Sequence, residues 1–163
     1  MGIFGRDGNI SIIRVGTLAA LLGVVLVVGG IVLFYLDRAA HQVPLDLEAY
    51  PGAVQVGVAN RSDVSRSVVF EIKNATAEDV SAFYQQKMNQ FYGNSEETCK
   101  RFPQAGNYPD YDRGVPDVIP YYFACLFDRS GFQITQYTRV NIQPGIKEYV
   151  GSVVVEYDQN WQR

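Results

Sequence analysis

One histidine, two cysteines and a short acidic loop are the residues of this chain whose types invite chemistry. A Ser-His-Asp or Cys-His centre needs an imidazole within hydrogen-bond reach of its nucleophile. The histidine, His41, stands five residues beyond a long apolar run. That position predicts an interfacial polar residue at a membrane surface. Cys99 and Cys125 lie 26 positions apart. Two thiols at that spacing make neither a zinc nor an iron–sulfur ligand set, and no C-x-x-C-H haem attachment occurs. In an oxidising compartment they would pair, closing a loop of about 25 residues worth roughly 3 kcal/mol on the chain-entropy view. The other reading is two free thiols, with Cys125 buried in a strand.

The acidic loop runs Asn107-Tyr108-Pro109-Asp110-Tyr111-Asp112-Arg113-Gly114. Asp110, Asp112 and Asp117 offer oxygens suited to calcium. The EF-hand spacing and its closing glutamate are missing, however, and Arg113 falls among the ligands. A solvated turn is the plainer reading. A contact surface carried by Tyr108, Tyr111 and Arg113 is the third, because tyrosine and arginine are enriched at interface hot spots. Glu96-Glu97 sits in a polar turn with nothing to raise a carboxyl pKa. Neither a phosphate-binding G-x-x-x-x-G-K-[ST] nor a G-x-G-x-x-G after a strand is present. Asn60-Arg61-Ser62 and Asn74-Ala75-Thr76 match the glycosylation pattern, which matters only in a eukaryotic secretory pathway. The expectation is therefore a chain with no catalytic residue, no metal and no cofactor of its own, and not an enzyme.

The elements that would position any site begin with Val15 to Leu36, 22 consecutive residues without a charge. A helix of that length is about 33 Å long, enough to cross a hydrocarbon core of about 30 Å. The run is too long for a signal-peptide core of roughly 7–15 residues, and no A-x-A-like cleavage site follows it. Arg6 stands where a myristoylation motif needs Ser or Thr. Gly16, Gly23 and Gly30 recur every seven residues, and Ala19 with Gly23 makes a small-xxx-small pair. Such residues let another helix approach closely, which predicts a packing face. Arg6 and Arg14 before the run outnumber Arg38 after it, so the N-terminus is expected in the cytoplasm and the remainder outside, periplasmic or extracellular.

The formal net charge of the whole chain is −3. Nucleic-acid binding, which selects basic patches, is excluded as an expectation, and no polybasic stretch addresses anionic lipid. Removing the first 36 residues leaves 127, ordinary for one domain. Residues 1–14 read as a cytoplasmic lead with Ile10, Ile12 and Ile13 at the interface, 15–36 as the transmembrane helix, 37–53 as a linker, and 54–163 as the exported domain.

Within that domain, Val54 to Val58 alternates briefly, and Val64, Val68, Phe70 and Ile72 share a face of a second strand. Thr76 is a helix N-cap with Asp79 three residues on, and Val80, Phe83, Tyr84, Met88 and Phe91 recur at helical spacing. Residues 92–119 show no period. Strand signals return at Tyr121–Phe127, Phe132–Ile142 and Tyr149–Tyr157, with turns at Ser130-Gly131 and Pro144-Gly145. The expected class is α+β: one N-terminal transmembrane helix, then a mostly antiparallel sheet of about five strands with one packed helix.

This layout of short lead, single span and one exported domain resembles the small, non-haem, single-span accessory subunits of bacterial membrane electron-transfer complexes, such as alternative complex III of filamentous anoxygenic phototrophs. The resemblance covers layout alone and carries no motif, so no functional residue transfers. It implies a role in stabilising or assembling a larger respiratory or photosynthetic complex, with other membrane-protein subunits and the lipid bilayer as partners. The alternative is a membrane-tethered envelope domain that binds a small ligand or peptide, on a face lined by Tyr121, Phe123, Tyr137 and Tyr149. A pilin-like subunit is weaker still, because the helix lacks an early acidic residue.

Overall fold

A computed structural model describes residues 12–131 and 133–162. The expected lead, including Ile10, lies outside the described residues up to Ser11. The chain divides between Ala40 and His41 into two compact units.

The first unit is helix α1, Ile12–Ala40. It extends past the uncharged run at both ends, and Arg38 in its last turn suits the negative end of the helix dipole. Val15–Ala40 is long and apolar enough to cross a membrane, and its most apolar stretch is not buried at all. A helix apolar on every side is what a membrane span or the core of a larger protein presents.

The second unit is a six-stranded sheet in the order β1-β2-β6-β5-β4-β3, antiparallel throughout. The strands are β1 Val54–Arg61, β2 Ser65–Lys73, β3 Lys100–Phe102, β4 Tyr122–Asp128, β5 Tyr137–Pro144 and β6 Ser152–Asn160. The α+β class is as expected, with one strand more than the five anticipated. The additional strand is β3, inside the stretch that reads as aperiodic. Three residues are too few for a period of two to show. The same stretch holds a one-turn helix, α3, at Pro109–Asp112.

Helix α2, Ala77–Phe91, packs on one face of the sheet. The Thr76 hydroxyl accepts from the Asp79 backbone N–H at 3.1 Å, and Asp79 accepts from the Thr76 N–H at 3.1 Å. This reciprocal pair satisfies amide groups that the first helical turn leaves open. It also holds the Asp79 carboxyl below its usual pKa, chiefly through the Thr76 side chain and then its backbone. Val80, Tyr84 and Met88 point into a core with Ile72, Cys125, Phe127, Val140, Ile142, Val153, Val155 and Tyr157. Lys87, on the rim of that stripe, pairs with Glu48 and lies over the Phe83 ring.

Residues 41–53 are no free linker. His41 is only 5% exposed, and a Cβ placed on Gly131 would come within 3.3 Å of its Nε2. The expected membrane-surface histidine is thus a buried domain residue. The reason is tertiary: the segment after α1 runs directly across the helix-covered face of the sheet. Gln136 donates to the Val43 carbonyl at 2.6 Å, and Gln159 donates to the Leu45 carbonyl at 2.7 Å and to the Thr138 hydroxyl at 3.2 Å. Leu45, Leu47, Tyr50 and Ala53 pack against the core beside these bonds. The buried amides of the sheet therefore satisfy the strap's carbonyls, as buried backbone groups require.

Candidate functional site

The face of the sheet opposite α2 carries the other half of each alternation. Along β4 the core takes Cys125 and Phe127, and Tyr122, Ala124 and Leu126 turn the other way. Along β5 it takes Val140 and Ile142, leaving Arg139, Asn141 and Gln143. Register aligns Lys100, Ala124, Asn141 and Glu156 in one row across four strands. Ala124 is the smallest member of that row. Around it opens a cavity of about 510 Å³, within the range of small-ligand sites.

Each wall of the cavity has its own origin. Phe102 and Tyr122 are a cross-strand pair whose rings stack at 5.3 Å. Tyr108 stacks behind Tyr122 at 6.4 Å, and its N–H donates to the Pro120 carbonyl at 2.8 Å, folding the loop back on the sheet. Lys100, Arg139, Glu97 and Glu156 line the cavity and bring both signs of charge to it. Glu156 accepts from the Ser67 hydroxyl at 3.2 Å. Neither Lys100 nor Arg139 has an ion-pair partner among the described residues.

Cys99 and Cys125 are bonded to each other. Cys99 immediately precedes β3, and its N–H donates to Gln85 at 2.8 Å. Cys125 follows Ala124 on β4. The bridge therefore pins the edge strand that carries Lys100 and Phe102 to the strand that carries the cavity floor.

The other residues singled out in the sequence are scattered. A Cβ on Gly16, Gly23 or Gly30 would meet nothing within 4 Å, and Ala19 is exposed. Tyr108 joins the aromatic stack, but Tyr111 and Arg113 line no part of the cavity. Arg113 pairs with Asp110, Asp112 accepts from Asn107 at 3.1 Å, and Asp117 pairs with Lys147 at 3.1 Å. The three aspartates are thus engaged separately, and among the described residues no group of three or more metal-ligating side chains occurs. Tyr121, Phe123, Tyr137 and Tyr149 do not share a face. Tyr121 and Phe123 pack against the core, Tyr137 falls on the opposite side by alternation, and Tyr149 belongs to a 3-10 turn, Lys147–Tyr149. The cavity residues on β4, β5 and β6 had a signal, since they are the outward positions of strands whose inward positions define the core.

Comparison with family models, curated proteins and solved structures finds no match to this chain.

Proposed function

We propose that the chain is a single-span, membrane-anchored accessory subunit, with its N-terminus cytoplasmic and its domain outside, that stabilises or assembles a larger membrane complex and carries no cofactor itself. The observation that carries this reading is α1 itself: its most apolar stretch is wholly uncovered, and its small residues at 16, 19, 23 and 30 leave room for a neighbouring helix to approach closely in lipid. The layout shared with small subunits of electron-transfer assemblies points to a respiratory or photosynthetic complex.

Purification from membranes in a mild detergent, followed by native electrophoresis and mass spectrometry, tests the reading. Co-migration with polytopic or haem-bearing subunits is expected. A chain that migrates alone under conditions that preserve known complexes overturns it.

A further inference from the structure

We propose that the cavity over Ala124 binds an uncharged saccharide unit. This inference does not rest on the subunit reading, since it concerns the folded domain alone.

Three observations select that chemistry. The first is the floor. Lys100, Ala124, Asn141 and Glu156 lie in one register row that lines the cavity, and Ala124 has the smallest side chain of the four. The second is the charge balance. Lys100 and Arg139 are countered by Glu97 and Glu156 around the same space. A phosphate or carboxylate ligand would be drawn to the two cations and repelled by the two carboxylates. An apolar ligand would strip water from all four charged groups with nothing in exchange. A neutral polyol escapes both penalties. Each hydroxyl donates to a carboxylate and accepts from an ammonium or guanidinium, giving charge-assisted hydrogen bonds of both polarities. The half-buried amides of Asn141 and Gln143 add a donor and an acceptor each.

The third observation is the aromatic wall. Phe102 and Tyr122 hold each other in a stack at 5.3 Å, so their orientation is set before any ligand arrives. Tyr122 is covered by Phe102 on one face and Tyr108 on the other, so the surface left for the apolar C–H face of a pyranose ring is the outer face of Phe102 at the cavity wall, with the sugar's hydroxyls turned to the polar side chains. The disulfide beside β3 and the Tyr108 stack hold the wall in place. Preorganisation of this kind lowers the ordering cost of binding.

Titration calorimetry on the full chain in lauryldimethylamine oxide, a detergent without a sugar headgroup, tests the proposal. The probes are cellotetraose, chitotetraose and maltotetraose, with tetraglycine and inorganic phosphate as contrasts. At least one saccharide is expected to bind, and neither contrast. Ala124→Leu fills the floor and is expected to weaken that binding at least about tenfold. Asn141→Ala removes a hydrogen-bonding amide and leaves the floor open, with an expected loss of roughly five- to tenfold. Circular dichroism verifies that each variant is folded, and Asn141→Ala decides should Ala124→Leu fail to fold. The proposal is overturned if no saccharide binds, if the folded variants bind as tightly as the parent, or if tetraglycine or phosphate binds in the saccharide's place.

Discussion

The hydroxyls of Tyr84 and Tyr157 share a hydrogen bond between α2 and β6, deep in the core. The Tyr50 N–H donates to the Tyr84 oxygen at 3.1 Å, and the Tyr157 hydroxyl donates to the Glu48 carbonyl at 3.3 Å. The donor count then assigns the shared proton: Tyr84 donates to Tyr157. The relay begins and ends on the strap, passing through a helix and a strand between. Burial is the largest cause raising both phenols; Tyr84 raises Tyr157 further, whereas the bonds of Tyr84 to Tyr157 and to the Tyr50 N–H offset only part of its own rise, so both stay neutral.

Tyr157→Phe leaves the Glu48 carbonyl and the Tyr84 hydroxyl without their partner. The expected cost is about 1–3 kcal/mol of unfolding free energy. Denaturant unfolding of Tyr84→Phe, Tyr157→Phe and the double variant measures it. Because the residues form one chain of bonds, the double variant is expected to cost less than the sum of the singles. Strict additivity would show that the hydroxyls act independently.

Gln159 holds the strap from below. It donates to Leu45 at 2.7 Å and accepts from Arg66 Nε at 2.7 Å. Gln159→Leu leaves the Leu45 carbonyl only its longer bond from the Thr138 hydroxyl at 3.4 Å and removes the acceptor of the Arg66 guanidinium, and is expected to cost roughly 1–3 kcal/mol. Limited proteolysis should then cut within residues 43–48 faster than in the parent. Unchanged protection of that segment would mean that the apolar contacts of Leu45 and Leu47 hold it unaided.

The Cys99–Cys125 bridge closes 26 positions of chain. Its replacement by serines is expected to lower stability by about 3 kcal/mol on the chain-entropy view. Amide exchange should also rise in β3, which has only three residues of pairing with β4 to fall back on. Equal exchange in the parent and the double-serine variant would show that the strand stands without the bridge.

Acid should loosen the start of α2. The Asp79 carboxyl is held below its ordinary value of 3.8 by Thr76. A depressed folded pKa contributes stability that is full above the unfolded value and is lost as pH falls through the folded one. Amide protection at residues 77–80, taken relative to the intrinsic exchange rate at each pH, should therefore fall below about pH 4 in the parent. In Asp79→Asn that loss of protection should be absent over the same window.

What was legible in the sequence followed from periods and caps long enough to repeat. Thr76 with Asp79 marked the start of α2, and Val80, Tyr84 and Met88 set its buried stripe. Alternation through Phe123, Cys125 and Phe127 identified β4 and its inward face. The residues that escaped depend on what lies far away in the chain. His41 is buried because of a strap whose carbonyls are met by Gln136 and Gln159, more than ninety positions on. β3 exists because β4 offers it an edge. The cavity was half legible: its residues on β4, β5 and β6 are the outward positions of recognisable strands, but only register shows that Ala124 stands between Lys100 and Asn141.

The place of β6 between β2 and β5 also bears on how the domain is made. β1 with β2, and β3 with β4 and β5, are two blocks that share no edge until β6 slots between them. All five of those strands leave the ribosome before it. During synthesis the two blocks wait with open flanks, and the strap lacks Tyr157 and Gln159 to fasten it. Long-range pairing of this kind is slow, and open strand edges are prone to wrong partners. The domain is therefore most open to wrong pairing while it is being made, at the two flanks that β6 later joins.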